Sequence, residues 1–120
     1  MKMVFAFLTV FVTSLSAFAQ THDMSWKIVP NETVCMVTEA HFDKPQIPVK
    51  VDNKTYYGCC AGCKKTLTED KAARIGTDPL SKKSVDKATA TIAANSEGKV
   101  LYFENKGNFE KYMKQQHTKN

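Results

Sequence analysis

Four cysteines, Cys35, Cys59, Cys60 and Cys63, fall within 29 residues of a 120-residue chain, and no other feature limits its folding so tightly. Thiols this concentrated point to one site. A hairpin that returns Cys35 to the start of a helix would set it beside Cys59 at a strand end, with Cys63 one helical turn further along the same face. Three sulfurs then converge on one ion. The unpaired N–H groups and positive dipole end of that first turn favour the thiolates that bind metal. On extended backbone Cys60 points away from Cys59, which leaves it either a fourth ligand after local rearrangement or a separate thiol.

The start of the chain indicates export. Lys2 gives a short positive beginning, Val4 to Leu15 is apolar apart from Thr and Ser, and Ala17-Phe18-Ala19 is a small-x-small cleavage pattern. Residues 1–19 therefore read as a signal peptide, and the apolar stretch is shorter than the roughly 20 residues needed to span a bilayer. A periplasmic or secreted protein, most simply bacterial, is expected, with no stable membrane insertion after cleavage. About 100 residues remain, enough for one compact domain or two very small modules that need a metal, a disulfide or mutual packing to hold. The formal net charge is +5, one unit of it on Lys2. Its lysines are scattered, without a basic stripe or interleaved aromatics, so nucleic acid is not an expected partner.

Aligning the aromatic positions uncovers an internal repeat of about 45 residues. Thr33-Val34-Cys35 lies over Pro79-Leu80-Ser81, and Tyr57-Gly58-Cys59-Cys60-Ala61-Gly62-Cys63 over Tyr102-Phe103-Glu104-Asn105-Lys106-Gly107-Asn108. Cys35, Cys59 and Cys63 thus correspond to Ser81, Glu104 and Asn108, while Gly62 is kept as Gly107. Each copy reads as a β-hairpin followed by a helix. Ile47–Val51 and Thr55–Tyr57 flank a turn at Asp52-Asn53-Lys54. A helix is predicted from Ala61 to Ile75, with Cys63, Leu67 and Ile75 near one face, Gly76 as its stop and Pro79 just beyond. In the second copy, alternation over Lys87 to Ala93 precedes a turn at Asn95-Ser96-Glu97-Gly98 and a strand at Val100–Phe103. The last helix sets Phe109, Tyr112, Met113 and Gln116 at i, i+3, i+4 and i+7, the first three as core. The fold class is α+β: two tandem small hairpin-plus-helix units packed as one compact domain. Their bounds are residues 30–76 and 77–116, with tails at 20–29 and 117–120.

Cys35, about two dozen residues, Cys59, three residues and Cys63, with Tyr56-Tyr57 ahead of the second cysteine, resembles the TRASH/YHS type of small heavy-metal-binding domain. Asp78-Pro79-Leu80-Ser81 through Tyr102-Phe103-Glu104-Asn105 resembles a second YHS copy stripped of ligands. The resemblance runs from about Pro30 to Met113. It implies treble-clef-like units and a place among copper-handling or other metal-trafficking proteins, with a metal transporter or metallochaperone as partner. Two positions depart from the family: Cys35-Met36-Val37 stands where Cys-Gly-Met is common, and Cys60 follows Cys59 where a cysteine is unusual.

Three or four thiolates suit Cu(I) and Zn(II) rather than hard ions. A trigonal three-sulfur site with Met36 nearby favours Cu(I); a fourth ligand from Cys60 or His41 would suit Zn(II). His41 otherwise reads as a surface residue, as do His22 and His117 in the tails. Two alternatives use the same cysteines: structural disulfides, of which four cysteines allow three pairings, and a redox Cys-x-x-Cys at Cys60–Cys63. No histidine lies in a nucleophile-activating pattern, and Glu69-Asp70 are adjacent on a presumed helix and aim apart, so no enzyme is expected.

Overall fold

A computed structural model of the chain describes residues 25–119. The expected signal peptide, with His22 and Met24, lies outside the described residues. Two α-helices and a set of short antiparallel strands make an α+β fold. Each half begins with a small knuckle, continues into a hairpin and ends in a helix. In the first half, β2 (Val34–Cys35) pairs with β3 (Ala40–His41), β4 (Ile47–Val51) pairs with β5 (Lys54–Gly58), and α1 covers Ala61–Glu69. In the second, β6 (Ile75–Thr77) pairs with β7 (Ser84–Asp86), β8 (Thr91–Ala94) with β9 (Val100–Phe103), and α2 covers Lys106–His117. Among the described residues no helix is long and apolar enough to cross a membrane.

Local chemistry accounts for the hairpins. The β4–β5 turn has only two central residues, Asp52 and Asn53, with φ of 49° and 64°. Positive φ at both matches the twist of the flanking strands, and Asp and Asn tolerate it better than most residues. In the β8–β9 turn, Gly98 takes φ of 80° and the Asn95 side chain accepts from the Glu97 and Lys99 amides at 3.0 Å.

The first helix stops earlier than its sequence suggests. It ends at Glu69, because Asp70 adopts extended backbone and its carboxylate accepts from the Ala72 amide at 3.0 Å, starting a separate 3-10 turn over Lys71–Arg74. Arg74 then donates to the Leu67 and Thr68 carbonyls, which the helix end leaves open. Ile75 is consequently a strand residue, 43% exposed, rather than a helix-face partner of Cys63 and Leu67. Gly76 belongs to β6 as well, where a Cβ would lie 3.0 Å from the Tyr102 ring.

Two further expectations change. The stretch from Lys87 to Ala90 leaves β7 as a turn, so the strand predicted there begins only at Thr91. On α2, Phe109, Tyr112 and Met113 are half-buried, not core; the rings of Phe109 and Tyr112 rest on Phe103 at centroid distances of 5.5 and 5.6 Å. At the other end of the chain, Lys27–Ile28 forms β1, an edge strand on β8.

One core serves both halves. Val34, Met36, Val49, Tyr56 and Leu67 from the first pack with Val85, Ala90, Ile92 and Tyr102 from the second. Neither half alone would bury this much apolar surface, which is the reason such small units pack on each other. Polar ties run along the same seam. Asp86 accepts from Tyr56 Oη at 2.8 Å and Lys54 Nζ at 2.6 Å, and Asn31 donates to the Ala90 carbonyl at 3.1 Å.

Candidate metal centre

Three backbone features bring the thiols together. Cys35 ends β2, and the next amide, Met36 N–H, donates to the Tyr57 carbonyl at 2.9 Å, fixing the first knuckle to β5. Strand β5 runs out at Gly58, so Cys59 is the first residue beyond the sheet. Gly58 then allows the first turn of α1 to touch the strand, since a Cβ there would stand 2.8 Å from Cys63 Cβ. Cys63 is thereby turned towards Cys35.

The resulting separations suit a thiolate-bound ion. Cys35 Sγ lies 3.8 Å and Cys59 Sγ 3.7 Å from Cys63 Sγ, and all three sulfurs lie within 4.8 Å of one another. Sulfurs about 2.3 Å from a zinc ion stand about 3.8 Å apart in a tetrahedron and about 4.0 Å apart in a trigonal plane. Among the described residues this is the group of His, Cys, Asp or Glu side chains placed to hold a metal ion. Cys35 and Cys63 are buried and Cys59 is exposed, so the group has two sheltered sulfurs and one open edge.

The environment divides the thiols by proton affinity. Burial pushes the Cys35 thiol up, but the Thr38 hydroxyl and amide, the Val37 amide and the Cys59 thiol point at its sulfur and together bring it down to about 7. Cys63 is pushed up to about 12, first by burial and then by its hydrogen bonds with the sulfurs of Cys60, Cys59 and Cys35. Donation to Cys35 is the main reason that Cys59 is raised.

Cys60 has its own place. It is the N-cap of α1, extended at φ −156° and ψ 172°, and its sulfur lies 3.3 Å from Cys63 Sγ at the exposed edge. The Cys63 amide is the main cause of its lowered pKa. Its counterpart Asn105 caps α2 with nearly the same torsions, φ −160° and ψ 170°, and accepts from the Asn108 amide at 2.8 Å. Cys60 therefore stands where a capping residue belongs. All four cysteines are free thiols, and even this closest pair is well beyond the roughly 2.05 Å of a disulfide bond.

Of the two secondary candidates, His41 is not gathered into the cysteine group. Met36 is fully buried among the apolar side chains of the common core. His41 lines a surface depression with Phe42, Asp43 and the β8–β9 turn.

The counterpart positions in the second half also converge, around a residue that the sequence did not single out. Asp78 is fully buried. Its Oδ1 accepts from the Leu80 and Ser81 amides at 2.7 and 3.2 Å, and its Oδ2 from the Glu104 amide at 2.8 Å and Asn108 Nδ2 at 2.9 Å. Ser81, Glu104 and Asn108 are the residues that align with Cys35, Cys59 and Cys63. One carboxylate ties them together. The available signal was Asp-Pro at the head of the second knuckle, since Asp side chains characteristically accept from amides two and three residues on.

Lys87 was also missed, because an isolated lysine between polar and small residues reads as surface. It is 4% exposed, with Nζ donating to the Met36 carbonyl at 2.8 Å. Comparison with protein-family models, with curated proteins and with solved structures gives no significant match for this chain.

Proposed function

We propose that the chain is an exported metal-binding protein of the TRASH/YHS type that takes one soft ion, Cu(I) ahead of Zn(II), on the thiolates of Cys35, Cys59 and Cys63. The observation that carries this reading is the approach of three sulfurs from two separate segments to within 4.8 Å. Cu(I) is favoured because three sulfurs complete a trigonal set, and soft ligands select it. For Zn(II) the fourth ligand is Cys60, whose sulfur is beside that of Cys63. The exposed edge at Cys59 and Cys60 suits ligand exchange with a metal transporter or metallochaperone. An incoming thiolate replaces one sulfur at a time, so the ion is never released to water. This is the chemistry of metal trafficking, buffering or resistance.

Titration of the reduced full chain with Cu(I) and Zn(II), in competition with a chromogenic chelator, tests the reading. A stoichiometry of one is expected, lost in Cys59→Ser, Cys35→Ser and Cys63→Ser. In Cys60→Ser, Cu(I) binding is retained and transfer to the chelator is slower. Absence of tight binding by the unmodified chain defeats the proposal.

A second reading is favoured by the 3.3 Å separation of Cys60 and Cys63, which begin α1 as a Cys-x-x-Cys pair. Such a pair exchanges disulfides with other thiols. Turnover of a model disulfide that is abolished in Cys60→Ser, together with no metal uptake, would establish it over metal binding.

A further inference from the structure

The three proposed ligands are not equally well anchored. Cys59 and Cys63 share one continuous piece of backbone, four residues apart across the junction of β5 and α1. Cys35 comes from 24 positions earlier, on a knuckle whose strands β2 and β3 are two residues each. A hairpin that short does not hold its own geometry. Its position depends on ties from outside.

One tie is the Met36 amide on the Tyr57 carbonyl, within the cysteine-bearing half. On the far strand, the His41 amide donates to the Gly98 carbonyl at 2.8 Å, beside an Ala40–Lys99 bridge, and a side-chain tie from the cysteine-free half acts on the loop itself. Lys87 Nζ passes 5.0 Å from the centre of the Tyr102 ring, donates to the Met36 carbonyl at 2.8 Å and pairs with Glu39 Oε1 at 3.2 Å. Both acceptors lie on the loop that follows Cys35. A lysine is almost never this deeply buried without such partners. The preceding residue, Asp86, points the other way, onto Lys54 and Tyr56 of the β4–β5 hairpin. Adjacent side chains of one strand end thus grip the two elements that must meet for the sulfurs to converge.

We propose that Lys87 is a positioning residue for the metal centre, through which the cysteine-free half sets the affinity of the cysteine-bearing half; this rests on the reading that Cys35, Cys59 and Cys63 hold a metal ion. Without the ammonium, the buried Met36 carbonyl loses its donor, and the loop that follows Cys35 loses its side-chain tie to the second half, while β3 keeps its own through the His41 amide on the Gly98 carbonyl and the Ala40–Lys99 bridge. Cys35 then samples positions away from Cys59 and Cys63. The metal must restore the geometry at the expense of its own affinity. The role resembles that of outer groups that orient metal ligands, whose loss commonly weakens binding about 10- to 100-fold.

The test uses the reduced full chain, Lys87→Met, Lys87→Arg and Asp78→Asn. Each is titrated with Zn(II) against a chromogenic chelator, and Co(II) absorption reports the ligand geometry. Lys87→Met is expected to bind Zn(II) about tenfold more weakly at unchanged stoichiometry, with altered Co(II)–thiolate bands. Lys87→Arg, which keeps a charged donor, is expected closer to the unmodified chain. Asp78→Asn loosens the second half without touching the first knuckle, so its Zn(II) affinity and Co(II) spectrum should stay unchanged while its melting temperature falls. Equal affinity in Lys87→Met and the unmodified chain overturns the proposal, as does an equal loss in Asp78→Asn. If Lys87→Met does not fold, Lys87→Gln, whose amide is too short to reach the Met36 carbonyl, replaces it with the same expected loss. Failure of the unmodified chain to bind either Zn(II) or Cu(I) defeats the metal reading itself, and the Lys87 proposal with it.

Discussion

Asp78→Asn is expected to lower the stability of the metal-free protein by about 2–4 kcal/mol, a drop of about 10–20 °C in melting temperature. The substitution keeps the shape of the side chain and changes what it accepts. In the native protein all four hydrogen bonds arrive at a carboxylate, two on each oxygen. An amide leaves one oxygen for the Leu80 and Ser81 amides and turns an NH2 group towards the Glu104 amide and Asn108 Nδ2, donor against donor. With the oxygens exchanged, the clash falls on Leu80 and Ser81 instead. Neither orientation satisfies the site, and water is excluded from it because Asp78 is fully buried. A second signature is acid sensitivity. Burial pushes the Asp78 carboxyl up, but donation by Asn108, Glu104, Leu80 and Ser81 outweighs it and holds the group below the usual carboxylate range. A depressed folded value means that the stabilisation is fully present above the unfolded value of about 3.9 and is lost as pH falls through the folded value. The same sign applies to Asp86, which burial raises and Lys54, the Ala88 amide and Tyr56 lower more strongly. Thermal melts by circular dichroism should therefore show an acid limb below about pH 4 that is shallower in Asp78→Asn and persists in part through Asp86. An unchanged limb and an unchanged melting temperature would mean that the carboxylate does not clasp the second knuckle.

What the sequence made legible was local. Asx- and Gly-bearing turns, β-branched strands and the i, i+4 pair of Cys63 and Leu67 each act within a few positions, and the structure has them close to where expected, with Lys54 joining β5 instead of its turn. The repeat added one long-range fact, that positions 35, 59 and 63 behave alike and that 81, 104 and 108 do so too. Choices settled by competition were not legible. Asp70 can continue a helix or start a new turn, and it is Arg74, reaching back to the Leu67 and Thr68 carbonyls, that makes the early stop satisfactory. Lys87 reads as surface until Met36 and Glu39 are placed around it. Lys27–Ile28 is too short to read as a strand by itself and becomes β1 by pairing with β8. For Lys87 and for Lys27–Ile28 the deciding partner is distant in sequence, so no window of neighbouring residues contains the answer.

The glycine that matters was legible in kind but not in place. The repeat keeps Gly62 as Gly107, which suggested a common backbone demand there, yet a Cβ on Gly62 would meet only Cys60 Sγ, at an ordinary 3.8 Å. The tight position is Gly58, whose counterpart is Phe103. In the second half that buried ring carries Phe109 and Tyr112. In the first half there is no room for any side chain, because α1 rests on the strand.

Gly58→Ala is accordingly expected to weaken metal binding about 30- to 150-fold while costing the metal-free protein less. The new methyl carbon would lie 2.8 Å from Cys63 Cβ and 3.4 Å from the Cys63 carbonyl carbon. Neither can rotate away, since Cβ is fixed to the helix backbone, so the end of β5 or the first turn of α1 has to move. Overpacking of this kind costs about 1–3 kcal/mol. Without metal, much of it is relieved by letting α1 tilt off the strand, a freedom that three unligated thiols do not oppose. With metal, Cys63 Sγ must remain close to both Cys35 and Cys59, now 3.8 and 3.7 Å away, and the tilt is forbidden. The strain then falls on the bound state, and about 2–3 kcal/mol appears as a 30- to 150-fold rise in Kd. Gly62→Ala is the matched control. Its position is exposed in the first turn of α1, where alanine is better than glycine by about 0.5–1 kcal/mol, so unchanged affinity and a slightly raised melting temperature are expected. Chelator competition and thermal melts of both variants, with and without metal, read the two effects separately. Equal affinities for Gly58→Ala and Gly62→Ala would show that closure of α1 onto β5 is not what brings Cys63 to its partners.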